Sequence, residues 1–134
     1  MKIKPLINTG DHRGFSSTVT RQQFGLPEHL QELHCNTLVP GQVRGNHFHK
    51  VRGEIILVFH SGSCCVAWDD ADGTTIANEN FDGNGAFLIE VEPLRSHAIK
   101  NTGTLPLTIV ALSDFRWTPE HPDTYPRVIL HPDA

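Results

Sequence analysis

The stretch that decides the fold runs from Gly41 to Glu54 and reads Gly-Gln-Val-Arg-Gly-Asn-His-Phe-His-Lys-Val-Arg-Gly-Glu. His47 and His49 lie two residues apart, so on a β-strand both imidazoles leave the same face. Residues 50–53 are expected to reverse the chain, and Glu54 then returns a carboxylate to the same neighbourhood. This spacing predicts two antiparallel strands that carry three convergent metal-binding side chains.

His97 offers a fourth donor, because it opens a predicted strand, His97–Asn101, after a turn at Pro93. Three imidazoles and one carboxylate suit a divalent transition metal, and this donor set does not choose among the metals. Zinc is the metal we expect, and iron, nickel, manganese and copper stay open. Taken alone, His47 and His49 also fit a simpler interpretation, a pair of half-exposed strand residues without a role in metal binding.

Around this stretch the chain has the rhythm of many short strands separated by turn residues. Turns are predicted at Pro40-Gly41, Lys50–Gly53, Ser61-Gly62, Asp70–Gly73 and Asp82–Gly85. This pattern favours an antiparallel sandwich or barrel over a layout that needs crossover helices. The predicted strands are Lys2–Ile7, Phe15–Thr20, Glu32–Val39, Val43–His49, Glu54–Phe59, Ser63–Asp69, Thr74–Asn80, Ala86–Glu90, His97–Asn101 and Leu107–Leu112.

Composition limits the class of protein. The 134 residues are 38% hydrophobic, which is enough for one globular domain, and the formal net charge is −4. No cluster of Lys and Arg is present, so we expect neither nucleic acid nor an anionic membrane as a partner. The longest apolar run, Ile55–Phe59, is far too short to span a membrane, and the first residues do not resemble a signal peptide. A soluble, cytoplasmic protein without a disulfide framework is expected from these features and from the odd count of 3 Cys.

The motifs resemble those of the cupin superfamily. The order Gly41, His47, His49, Glu54 and Gly62 is similar to the first cupin signature, and residues 85–101 are similar to the second. The resemblance implies an all-β fold, the antiparallel double-stranded β-helix or cupin jelly-roll barrel, with a metal held inside by His47, His49, Glu54 and His97. We expect one cupin domain over residues 1–134, with a core at about 32–113, N-terminal strands within 1–20 and an extended C-terminal tail at 114–134.

Longer runs resemble a narrower group of cupins. The run from Arg44 to Lys50 and the run from Phe115 to Tyr125 look like the carboxy-terminal cupin domain of capsular polysaccharide assembling proteins. The run from Asp11 to Phe15 is similar to the opening of the dTDP-sugar epimerases, and the dTDP-sugar ketoisomerases are a third relative. These resemblances imply an epimerase or isomerase that acts on a nucleotide-linked 4-keto-6-deoxy sugar in polysaccharide biosynthesis, through an enolate.

Such a reaction needs a base, a proton donor and positive charge near the developing oxyanion. The candidate catalytic residues are Tyr125, Lys50 and Asp11, and the candidate substrate-binding residues are Arg13, Arg44, Asn46 and Trp117. For each of them a structural role, such as a solvated charge, a packing ring or a turn amide, is the alternative.

Two other functions stay open at this point. The same donor set suits a metal-dependent dioxygenase or decarboxylase of a small molecule, and a cupin that binds a carbohydrate without turning it over fits as well. The resemblance also implies a homodimer, in which the first strand or the tail contributes to the interface.

Overall fold

The computed structural model describes residues 1–70 and 74–134, and this part of the chain contains ten β-strands and no α-helix. No helix in it is long and apolar enough to cross a membrane. The strands are β1 (Lys2–Pro5), β2 (Glu32–Leu38), β3 (Val43–Phe48), β4 (Glu54–His60), β5 (Cys64–Asp69), β6 (Ile76–Phe81), β7 (Gly85–Val91), β8 (His97–Asn101), β9 (Leu107–Ser113) and β10 (Tyr125–Pro126).

The strands form two five-stranded sheets in which every pair is antiparallel. The first sheet has the order β1-β7-β4-β9-β2, and the second has the order β10-β3-β8-β5-β6. The chain crosses from one sheet to the other between β2 and β3, and again between β3 and β4. The all-β jelly-roll predicted from the sequence is confirmed, and it is a single domain.

The main core lies between the two sheets. Alternate residues of β4, such as Ile56 and Val58, point inward and pack with Val66 from β5 and Ile99 from β8. The residues between them point outward to a second apolar cluster. Both faces of β4 therefore carry apolar side chains, which explains why the run Ile55–Phe59 is continuously apolar. On that outer face Ile55 belongs to a second cluster with Phe24 and Leu88. The first sheet is therefore covered on both faces.

The predicted strand ends are close to the observed ones, with one clear error. Residues 15–20 form no strand; instead Val19, Phe24 and Leu26 of this irregular segment pack on the outer face of the first sheet. Phe24 is buried, and Val19 and Leu26 are partly buried, by this packing without a partner strand, so the apolar pattern of residues 15–20 was wrongly assigned to a strand. The turn predicted at Asp70–Gly73 lies, from residue 71 on, outside the described residues.

The C-terminal tail is extended and lies along the second sheet. Its short strand β10 pairs with the end of β3, and Asp133 hydrogen-bonds through its backbone N–H to the Gly41 carbonyl at 2.9 Å. Arg127 donates to the buried Asp69 carboxylate at 2.8 Å. The tail therefore closes the edge of the second sheet beside the β3–β4 connection.

Candidate metal centre

The four predicted donors come together at one end of the barrel. His47 on β3 lies opposite His97 on β8 in the strand register, His49 follows directly after β3, and Glu54 begins β4. One ligand atom from each of the four lies within 4.8 Å of every other. The centroid of the His47 ring is 4.9 Å from the centroid of the His49 ring and 4.9 Å from that of the His97 ring. This arrangement is a compact group of three nitrogen donors and one oxygen donor.

An irregularity in β3 positions the histidines. The register of β3 and β8 shifts between Gly45 and His47, and both Gly45 (φ 97°) and Asn46 (φ 55°) have positive φ. A Cβ atom on Gly45 would lie 2.5 Å from the His97 carbonyl oxygen, so this position needs glycine. Such a bulge changes the direction in which the following side chains point. His47 reaches the site because of it.

Backbone carbonyls fix two of the imidazoles. The Nδ1–H of His49 donates to the Asp123 carbonyl at 2.6 Å, and the Nδ1–H of His97 donates to the Arg95 carbonyl at 3.2 Å. A carbonyl only accepts, so each Nδ1 carries a proton; the Arg52 Nε, 3.2 Å from the His49 Nδ1, is a contact without a shared proton. The Nε2 atom of each ring is left as the donor atom, which is the arrangement seen in metal-binding histidines.

Burial and neighbouring charges set the protonation of the group. Burial, followed by the nearby imidazoles of His97 and His49, lowers the pKa of His47 to about 4. Burial is the largest single influence on the Glu54 carboxyl and raises its pKa, but the contact with His49 and the charges of His97 and Arg52 together lower that pKa to about 2. At neutral pH the centre therefore contains a neutral His47 and a negatively charged Glu54, as a cation requires.

The surroundings of the His49 Nε2 atom show whether these four residues suit a metal. It is buried, contacts the Glu54 Oε1 atom and has no hydrogen-bond partner. A nitrogen lone pair held against a carboxylate oxygen is unfavourable unless a cation or a proton lies between them. His47, His49, Glu54 and His97 therefore fit a divalent transition metal, and the donor set leaves its identity open.

Three of the four donors, His47, Glu54 and His97, line a cavity with a volume of about 510 Å³. Its apolar floor is made by Ile56, Ile99, Ile109 and Ala111. Its volume lies in the range of small-molecule sites, and it combines an apolar lining with a few polar groups.

The sequence did not predict that β2 forms a wall of the cavity. Glu32, His34 and Asn36 are two residues apart, and all three line the cavity. The same face ends on Leu38, which belongs to the core. Polar residues at alternate positions, followed by a buried apolar residue on the same face, are a signal that a strand passes from a polar cavity into the core.

Arg52 was also not predicted as a site residue, since it lies in a predicted turn. Its side chain is only 10% exposed, and it lies 3.7 Å from Glu32 and 3.8 Å from Glu54. It also donates to the Thr124 hydroxyl at 3.3 Å. The Arg52 guanidinium therefore joins the β2 wall, the metal-type donors and the tail.

Two of the four predicted substrate-binding residues line this cavity. Arg44 donates from Nε to the Thr37 carbonyl at 3.0 Å, which leaves its remaining N–H groups available on the cavity wall. Trp117 is 47% exposed, and its backbone N–H donates to the Glu32 carboxylate at 3.1 Å. Its ring lies at the rim.

Asn46 is placed elsewhere. Its side-chain N–H donates to the Leu130 carbonyl at 2.9 Å, and its oxygen accepts from the backbone N–H groups of Ile129 and Leu130. The Asn46 amide therefore binds the C-terminal tail.

Arg13 and Asp11 lie in an exposed loop and pair with each other, with Nη2 2.8 Å from Oδ2. They line a separate surface depression of about 280 Å³. The chain as described does not bring either residue to the metal centre.

Tyr125 and Lys50 lie on the other face of the second sheet. Phe48 lies between His47 and His49 and points away from the cavity, and the Tyr125 ring stacks on it at 5.4 Å. The Lys50 ammonium lies 4.2 Å from the centre of the Tyr125 ring. Neither residue lines the cavity. The structure therefore does not bring the three predicted catalytic residues, Tyr125, Lys50 and Asp11, to the candidate site.

Comparison with known proteins identifies similar chains. The family model of the polysaccharide biosynthesis C-terminal domain matches residues 9–125. The spore coat polysaccharide biosynthesis protein SpsL of Bacillus subtilis is 22% identical over 127 residues, which cover 92% of this chain and 84% of SpsL.

Solved structures show the same fold. The capsular polysaccharide assembling protein CapF of Staphylococcus aureus matches with a TM-score of 0.67 and 24% identity over 93% of this chain. The match covers 35% of CapF, so this chain spans about a third of the length of that protein. The 3,4-ketoisomerase QdtA of Thermoanaerobacterium thermosaccharolyticum, solved in complex with TDP, matches with a TM-score of 0.67 and 17% identity over 92% of this chain and 84% of its own.

Proposed function

The chain belongs to the family of polysaccharide biosynthesis C-terminal domains, and we propose that it is a metal-binding epimerase or isomerase of a nucleotide-linked 4-keto-6-deoxy sugar. The observation that carries this proposal is the cavity of about 510 Å³, whose walls combine His47, Glu54 and His97 of the three-His and one-Glu group with Arg44 and Trp117. The TDP complex of the similarly folded QdtA supports a nucleotide sugar as the ligand class.

The reaction begins by removing a proton from a carbon next to the ketone. His47, His49, Glu54 and His97 would hold a divalent metal, whose positive charge would stabilise the developing negative charge on the carbonyl oxygen. Glu32 and His34 are the proton acceptors on the cavity wall outside this group. Glu32 already accepts from the Trp117 backbone N–H and lies 3.7 Å from Arg52, so we assign the role of base to His34. Its Nε2 lies 3.2 Å from the Asn36 side-chain oxygen, so Nε2–H donates there and the Nδ1 lone pair is left to accept a proton.

The rest of the cavity binds and covers the substrate. Arg44 presents free guanidinium N–H groups that suit a diphosphate, because planar N–H pairs match phosphate oxygens. The exposed Trp117 ring at the rim provides a flat apolar surface for a sugar or a base. Arg52 is committed to Glu32 and Glu54, so we assign it to holding the walls in place and leave phosphate binding to Arg44.

The test is incubation with UDP- and dTDP-linked 4-keto-6-deoxy sugars in deuterated water, followed by NMR and mass spectrometry. We expect deuterium on a carbon next to the ketone and a product of changed configuration or carbonyl position. The variant His34→Gln should reduce the exchange, and His131→Gln, an exposed histidine outside the cavity, is the matched control. No carbon-bound deuterium with any of these sugars would contradict the proposal. Oxygen consumption by the iron- or copper-loaded protein would instead support a dioxygenase.

Three finer proposals accompany this function. Zinc is the proposed metal, since imidazole and carboxylate donors are its usual protein ligands. The cytoplasm is the proposed compartment, supported by three free cysteines. A homodimer is proposed because β2 is an edge strand whose Leu33 is 55% exposed. Light scattering that shows a monomer would contradict the last of these.

A further inference from the structure

Asp123, in the tail, makes an unusual set of contacts with the loop between two of the metal-type donors. Its carboxylate accepts from three consecutive backbone N–H groups, those of Lys50 at 2.9 Å, Val51 at 3.1 Å and Arg52 at 2.9 Å. Its carbonyl accepts from the His49 Nδ1–H. The residue is only 7% exposed and has φ 44°, a left-handed conformation that Asp tolerates better than most residues.

These contacts cover the first three residues of the loop. Residues 50–53 connect His49 to Glu54, so a carboxylate that fixes three of the four loop N–H groups also fixes the distance and angle between the two donors. The carbonyl of the same residue places the proton of His49 on Nδ1 and leaves Nε2, which contacts Glu54, as the metal-type donor atom. One tail residue thus controls the loop conformation and the tautomer of a ligand.

We propose that Asp123 is a positioning residue of the metal centre, which holds His49 and Glu54 in their metal-binding geometry through the β3–β4 loop. This inference rests on the proposed metal site. The tail then has a role in the chemistry of the cavity, although the Asp123 side chain does not line that cavity.

The test compares Asp123→Asn and Asp123→Gly with the control Asp133→Asn. Asparagine tolerates a positive φ and has the shape of Asp, but its amide N–H₂ replaces one acceptor. Glycine suits the positive φ and removes the carboxylate without backbone strain. Asp133 lies in the same tail and pairs with Lys100 at 2.8 Å, so its loss reports what a tail contact alone contributes.

Three readouts separate positioning from mere stabilisation. Zinc affinity is measured by competition with a chromophoric chelator, the visible spectrum is recorded with cobalt in place of zinc, and NMR of the ring nitrogens reports the His49 tautomer in the metal-free protein. We expect the Asp123 variants to bind zinc roughly 10- to 100-fold more weakly, with an altered cobalt spectrum, as is usual when a partner of a metal ligand is lost. The control should change the affinity less than about twofold.

Unchanged zinc affinity and an unchanged His49 tautomer in folded Asp123 variants would overturn the inference, even if their melting temperature falls. If the wild-type protein binds no metal, the proposed metal-dependent function fails by itself. In that case the tautomer readout still decides about Asp123: a pure Nδ1–H form that becomes mixed in the variants supports positioning, and an unchanged form contradicts it.

Discussion

Replacing Asn46 with alanine removes the side chain that binds the tail to the bulge of β3. Three hydrogen bonds are lost, one donated to Leu130 and two accepted from Ile129 and Leu130. At about 1 kcal/mol net for each, this amounts to about 3 kcal/mol of unfolding free energy. Alanine also fits the positive φ of 55° less well than asparagine, which adds about 1 kcal/mol.

For a domain of this size, 1 kcal/mol corresponds to roughly 3 °C in melting temperature, so the total of about 4 kcal/mol should make Asn46→Ala melt about 12 °C lower than the wild type. Asn46→Gly is the matched variant, because it loses the same hydrogen bonds and keeps the conformational freedom. It should be more stable than the alanine variant by about 1 kcal/mol.

The assay is thermal unfolding followed by circular dichroism, combined with KM for a nucleotide sugar. A melting temperature within about 1 °C of the wild type, together with a large increase in KM, would refute this reasoning. Asn46 would then contact the substrate, as first predicted from the sequence, and the hydrogen bonds to the tail would contribute little to stability.

Other perturbations test separate parts of the structure. Gly45→Ala should reduce metal affinity and lower the melting temperature, because the added Cβ meets the His97 carbonyl at 2.5 Å; unchanged zinc binding in a chelator competition would contradict this. At pH 8 a thiol reagent should label exposed Cys35 rapidly and leave Cys64 unlabelled until unfolding, because burial raises the pKa of the Cys64 thiol to about 12. Rapid labelling of Cys64, read by peptide mass spectrometry, would show that the barrel interior is open.

Much of the barrel could be predicted from the sequence, because its strands alternate and its turns carry Gly, Pro and Asp. The strand His97–Asn101 was predicted with its observed bounds, and His47, His49 and Glu54 were grouped by strand period and one short loop. Such local spacing translates directly into geometry, since a strand residue and its second neighbour share a face.

The errors come from contacts between residues that are distant in the sequence. Tyr125 was predicted to be a proton donor, but the face that the tail presents to β3 depends on how β10 pairs, and this pairing places its ring on Phe48. Arg52 was predicted to lie in a turn, and its contacts with Glu32 and Thr124 come from distant parts of the chain. Local pattern carries no information on such partners.

The measurement that tests the central claim most directly is a zinc titration of the metal-free protein, with Glu54→Gln in parallel. We expect one tightly bound zinc per chain and a large loss of affinity in the variant, because the amide removes the only anionic donor of the four. Substoichiometric binding, or equal affinity in the wild type and the variant, would contradict a metal centre built from these residues.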